Sequence, residues 1–265
     1  MGFTITGGVS ISGGVSLTPP GGSPSPSYSF QGSNYGYTSG GGAPSNVNTI
    51  DKFPFSSDAN ATDVGDLLVA RSQVAGQSSS DSGYTSGGYG TGFDNTIDKF
   101  PFSSDGNATD VGDLTVARSR VAGQSSSTSG YTSGGDSSPG RADTIDKFPF
   151  SSAGNATDVG DLTVATYYVA GQSSSASGYT SGGDPYTNTI DKFPFASDAN
   201  ATDVGDLTVA RYSAGGQSSS TSGYTSGGES ATGNVNTIDK FPFASDANAT
   251  DVGDLTVARY SAGGQ

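Results

Sequence analysis

The side chains in this chain that could do chemistry are mostly carboxylates, and they recur at fixed places. In the segment beginning at Ser57, Asp58, Asn60 and Asp63 have a spacing similar to that of calcium loops. The third copy of that segment has Ala153 at the first position and the rest of an acidic ligand set is missing. The segment is therefore read as a turn, with no metal site.

A second series is Asp66, Asp113, Asp161, Asp206 and Asp254, each followed by Arg71, Arg118, Thr166, Arg211 or Arg259. These could pair within or between repeats, but Thr166 breaks any fivefold ionic ring. Carboxylates aligned about an axis would suggest a glycosidase or a central metal. Catalysis, however, needs two groups whose environments push their pKa values apart, and near-identical repeats give near-identical environments. The chain also has no Cys and no His, which removes thiolate sites, the usual general base and the commonest metal ligand. The expectation is a protein without catalytic residues or cofactor.

Asn60, Asn107, Asn155, Asn200 and Asn248 each begin an Asn-Ala-Thr sequon. They are read as turn residues whose side chains bond the backbone, with glycosylation as the alternative.

The net charge of -14 argues against nucleic acid, which requires clustered Lys and Arg to displace counterions. No apolar run is long enough to span a bilayer, so no membrane insertion is expected. The first basic residue is Lys52, so a secretory signal with a basic start is not expected either.

These residues are positioned by a repeat of roughly 46 residues. GYTSGG begins at Gly36, Gly83, Gly130, Gly178 and Gly223, and each copy continues through a variable link into TIDKFPF. A polar turn NATD, then VGDL, VAR and a small-residue run such as VAGQSSS complete the period. Helix is excluded by the abundance of Gly, Ser, Thr and Pro and by the lack of a 3.6-residue stripe. Four strands per repeat are predicted: VAGQSS, GYTSGG, TIDKFPF and DVGDLTVA.

Ile50, Phe53 and Phe55 do not keep a period of two, which places apolar groups on both faces of the third strand. A sheet covered on both faces is what a propeller blade requires, and the small residues suit an innermost strand crowded at the axis. Each buried Phe contributes about 1.5 to 3 kcal/mol, while ordering so many Gly is costly. One blade alone would not be stable. The predicted fold is all-β, a five-bladed propeller of four-stranded antiparallel blades with an extended N-terminal β-arm.

From Tyr28 to Gln265 the pattern resembles the kelch family of β-propellers. Gly40 and Gly41, Gly87 and Gly88, Gly134 and Gly135, Gly182 and Gly183, and Gly227 and Gly228 match that family's paired glycines. Phe53, Phe100, Phe148, Phe193 and Phe241 take its aromatic position, and the Trp before its fourth strand is absent. Units ending in NATDVGDLTVAR and followed by a GG strand are similar to kelch-like repeat proteins of bacteriophages, particularly those of cyanobacteria and marine bacteria. That resemblance implies a virion structural protein, such as a tail fibre, appendage or surface decoration, located on the phage particle and without enzymatic activity.

The domain layout is a β-arm over 1–18, a Pro/Gly/Ser linker over 19–27, and a propeller over 28–265 closed by the strand 260–265. In the arm, Phe3, Ile5, Val9, Ile11, Val15 and Leu17 lie on one side of an extended strand. Such a strand is an aggregation hazard unless something receives it. Docking to another virion protein or to a copy of itself is expected; packing on its own propeller or a free tail are the alternatives. The C-terminal YSAGGQ is expected to pair beside Tyr37 and close the ring, the alternative being a pairing with the next subunit.

The loops joining strands two to three and four to one should emerge on one side, and they are the parts that differ among copies. Tyr89, Phe93, Arg141, Tyr186 and Asn234 are the candidate ligand-binding residues there, since loops on a rigid scaffold commonly carry recognition; untargeted surface loops are the alternative. The partner expected is a host cell-surface glycan or protein. Two other settings remain open: a subunit of a secreted extracellular fibril or adhesin at a cell surface, and a soluble lectin-like propeller.

Overall fold

The structure, a computed structural model, describes residues 34–42 and 44–263. The arm, the linker and the last two residues lie outside that range, and with them the six arm residues proposed for docking. The described residues contain no helix and form a five-bladed β-propeller, each blade an antiparallel sheet from one repeat.

Blade 2 consists of Ala75–Ser78, Ser82–Ser86, Thr96–Pro101 and Thr109–Asp113, paired in that order from the axis outward. Blades 3, 4 and 5 repeat this arrangement, with inner strands Ala122–Ser125, Ala170–Ser173 and Gly215–Ser218. Blade 1 shows three strands among the described residues, Tyr35–Ser39, Thr49–Pro54 and Thr62–Asp66. Thr, Ile and Phe suit a pleated, half-buried surface, and the Pro of TIDKFP, which has no N–H to donate, ends each third strand.

The outer strand is shorter than the sequence suggested, ending at the Asp of VGD instead of running through LTVA. The register shifts between Ile97 and Asp98, and at the same place in every other blade. The chain then leaves the sheet for its neighbour. Leu114 is buried in the joint between blades, and Thr115 donates from its backbone N–H and its hydroxyl to Asp146 of the next blade, at 3.0 and 2.7 Å. Val116, the next apolar residue, is exposed.

Two glycine sites show why GYTSGG is needed. Gly83 lies opposite Phe100 on the neighbouring strand, and a Cβ built on it would collide with the ring. Gly87 and Gly88 adopt φ of 62° and 116°, which side-chain-bearing residues rarely reach, and there the second strand turns into the variable loop.

The core is a set of joints between blades. At one, Tyr84, Ile97 and Leu114 of blade 2 enclose Phe148 and Ala156 of blade 3, with Val111 and Phe150 half-buried beside them. The other three joints repeat this cluster. The rings show how closely: the Tyr to first-Phe centroid distance is 5.5, 5.6, 5.5 and 5.5 Å along the chain, and the Tyr to second-Phe distance is 4.9, 4.8, 4.8 and 4.9 Å.

The buried arginines also run from blade to blade. Arg118 and Asp146 are both wholly buried and lie 2.9 Å apart, as do Arg211 and Asp239; Arg71 and Asp98 are 3.2 Å apart. The partner is therefore the Asp of TIDK in the following blade, not the Asp of VGDL. The VGDL residue serves the same joint through its backbone instead: Asp113 donates its N–H to Asn155 Oδ1 and its carbonyl accepts from the Ala156 N–H. The sequon asparagines Asn107, Asn155, Asn200 and Asn248 thus bond backbone, as the turn reading required, but in the preceding blade. Toward the axis, Gln77 donates from Nε2 to Ser86 Oγ of its own blade and to Tyr131 O of the next, both at 2.9 Å.

Among the described residues, no such joint is made between blades 5 and 1. The C-terminal strand expected to close the ring runs through Gly264 and Gln265, which lie outside the described range. A central cavity of about 460 Å³ is lined by the inner strands, by Tyr37 to Ser39, and by Ala262 and Gly263.

Candidate binding face

The loops from strand two to three and from strand four to one lie together, as the sequence indicated. The backbone joins them: Gly88 N–H donates to Arg118 O at 2.9 Å, and Gly135 N–H donates to Thr166 O at 2.8 Å. At the axis the four-to-one loops bond one another in turn. Arg120 N–H donates to Gln73 O, Tyr168 to Arg120, Ser213 to Tyr168 and Ser261 to Ser213, at 2.8 to 2.9 Å.

All five of these residues have φ between 53° and 59°. A non-glycine residue in that region costs on the order of 1–3 kcal/mol, and such residues cluster where surrounding structure holds a site in place. Here the hydrogen bonds around the axis hold them.

On this frame sits a continuous run of rings and guanidinium groups. Arg141 lies over the Tyr167 ring at 5.2 Å, and Arg120 over Tyr167 and Tyr168 at 5.3 and 4.9 Å. Tyr168 stacks on Tyr212 at 5.8 Å, and Tyr186 is 5.2 Å from Tyr212. Carboxylates fix both cations, Asp136 bonding Arg120 and Asp184 bonding Arg141. The Tyr212 phenol is held well above its ordinary pKa, chiefly because its hydroxyl donates a hydrogen bond to Glu229, which favours the protonated form, with burial and the negative charge of Glu229 adding to it.

The five residues named from sequence are thus divided. Arg141 and Tyr186 stand at the two ends of this cluster, with Tyr186 exposed. Tyr89 and Phe93 form a separate edge-to-face pair at 5.5 Å, beside blade 1, where Asn46 Nδ2 donates to Tyr89 O at 2.8 Å. Asn234 is exposed on the short hairpin opposite Glu229 and joins neither group.

The centre of the cluster, Arg120, Tyr167, Tyr168 and Tyr212, was missed. The signal was present in the dipeptides SQ, SR, YY, YS and YS that vary between repeats. Their convergence on the axis could not be read without the ring of positive-φ residues.

The cluster contains the side-chain types that stack on sugar faces and bond hydroxyls: half-buried rings, paired carboxylates and guanidinium donors. Among the described residues no group of three or more carboxylates could hold a metal ion. No protein-family model matches the chain, and a search of curated proteins finds no relative.

Proposed function

We propose that the protein is a non-enzymatic recognition protein whose axial loop face, carried by blades 3 to 5, binds a polyhydroxylated ligand such as a host cell-surface glycan. The observation that carries this reading is the Arg141–Tyr167–Arg120–Tyr168–Tyr212–Tyr186 run. It is assembled from the parts of the repeats that differ, on a scaffold that otherwise hardly varies. A kelch-like phage repeat protein is the setting that the sequence pattern favours, with the propeller displayed on a virion through its N-terminal arm.

Glycan-array binding of the intact chain tests the recognition reading. Selective retention of saccharides that is lost in Tyr168→Ala and Tyr212→Ala, but kept in Tyr89→Ala, supports it. Equal loss in all three variants, or no saccharide retained by the unaltered chain, sinks it. Mass spectrometry of purified particles tests the setting: peptides of this chain in phage virions support it, and peptides found only in cell-surface filaments favour a fibril subunit.

A further inference from the structure

Among the described residues, several of the contacts that join one blade to the next have a half on blade 5 and a half on blade 1 without a partner. At the four built joints, a Cβ placed on Gly65, Gly112, Gly160 or Gly205 would strike backbone of the following blade, whereas at Gly253 nothing described lies within 4 Å. The Ala108, Ala156, Ala201 and Ala249 N–H groups donate to Asp66, Asp113, Asp161 and Asp206 of the preceding blade; Ala61 and Asp254, the fifth such pair, make no such bond.

The charges show the same division. Lys52, Lys147 and Lys192 each bond an Asp of the next blade at 2.9 Å. Lys240 has its counterpart in Asp58 but lies instead over its own Tyr224. That is also where Lys99 sits over Tyr84, in the one blade whose neighbour offers Ala153 in place of Asp. Arg259 is exposed and has no carboxylate, although Arg71, Arg118 and Arg211 are wholly buried against theirs. Phe55 is 51% exposed on blade 1, and Val252 and Val257 are 52% and 63% exposed on blade 5.

We propose that these two faces join head to tail between copies of this chain, making a fifth joint of the same construction. Two observations select a second copy as the occupant. The faces are complementary in shape and charge because each is one half of an interface already present four times. The four joints also have matching ring separations, so each fixes the same rigid step, and four such steps leave blade 5 short of blade 1. A second copy takes up the step unchanged, whereas closure within one chain requires a different step at one or more of the built joints. A contact between unlike faces of identical chains propagates or forms a ring of chains.

The absence of cysteine makes a disulfide test direct. Asn60→Cys with Asp254→Cys places thiols where the built joints bring Asn Oδ1 within about 3.2 Å of the Asp backbone N–H. Oxidation is expected to give dimers and a ladder of larger species whose yield rises with protein concentration. A disulfide confined to monomers shows ring closure within the chain and overturns the proposal, as does recovery of free thiols.

Sedimentation of the chain without cysteines provides an independent reading. Its mass is expected to rise with concentration, and Arg259→Ala should weaken association by about tenfold or more while leaving the circular dichroism spectrum unchanged. A monomer at every concentration, or association unaffected by Arg259→Ala, also overturns it.

Discussion

The joints between blades and the axial loop face obey opposite rules. Each joint is built from the same few residues, so Phe100, Phe148, Phe193 and Phe241 are 5% exposed or less. The loop face uses the same backbone frame, yet its equivalent positions, Gln73, Arg120, Tyr168, Ser213 and Ser261, carry four different residue types. Side chains that must fill a closed space are constrained by volume on every side, while those at a rim are constrained only by backbone conformation. Packing stability and the proposed recognition are thereby assigned to different parts of the molecule, and substitutions should separate them.

The largest effect is expected where a joint loses volume. Phe148→Ala should cost about 3–5 kcal/mol in chemical denaturation, because the ring is enclosed by two blades. Phe53→Ala, the same change on the uncovered face of blade 1, should cost clearly less at a protein concentration where the chain is monomeric. Equal losses would show that the first and last blades are packed like the rest.

Thr166 marks the joint that departs from the pattern. Asp191 is buried there without a guanidinium, and burial raises its pKa above the ordinary carboxylate value. The native state therefore binds this proton more tightly than the unfolded chain, so ionisation of Asp191 costs stability. Asp191 makes no such cost below its unfolded pKa, and the loss grows as pH rises from there through the raised native pKa. Thr166→Arg should stabilise the fold at neutral pH by about 1–3 kcal/mol, by supplying the hydrogen-bonded partner. Asp191→Asn should flatten the pH dependence of the denaturation midpoint over the acidic window. No change in either variant would mean that the Thr163 bonds to Asp191, at 2.9 and 2.7 Å, already satisfy the carboxylate.

The smallest effect on stability is expected at the rim. Arg141→Ala removes an exposed ion pair and a contact with Tyr167, and should leave the denaturation midpoint nearly unchanged. Its effect should appear in ligand retention instead, and a large drop in the midpoint would show that the rim helps hold the blades together.

The sequence made the repeat, the strand order and the crowded inner strand legible, because Gly-Tyr, Gly-Gly and Ile-Asp-Lys-Phe each return with one conformational need. It did not disclose which Asp Arg118 would meet, since two aspartates recur in every period and only the step between blades brings Asp146 within reach. The early end of the outer strand was hidden for a related reason: LTVA has good strand propensity, but Thr115 finds better acceptors on the neighbouring blade. For the loop face, the variation among repeats pointed to loops that lie together on one side of the propeller. Which rings touch depended on Arg120 and Tyr168 adopting a left-handed backbone conformation, which neither residue type favours.

The Arg–Asp contacts of the core have a consequence for how such a gene can change. Each runs forward into the following blade, from Arg71 to Asp98, Arg118 to Asp146 and Arg211 to Asp239. Unequal recombination that removes or adds one whole period therefore brings together two surfaces that already fit. Blade number can drift between generations without redesign of any core contact, and the rim residues are what distinguish one length variant from another.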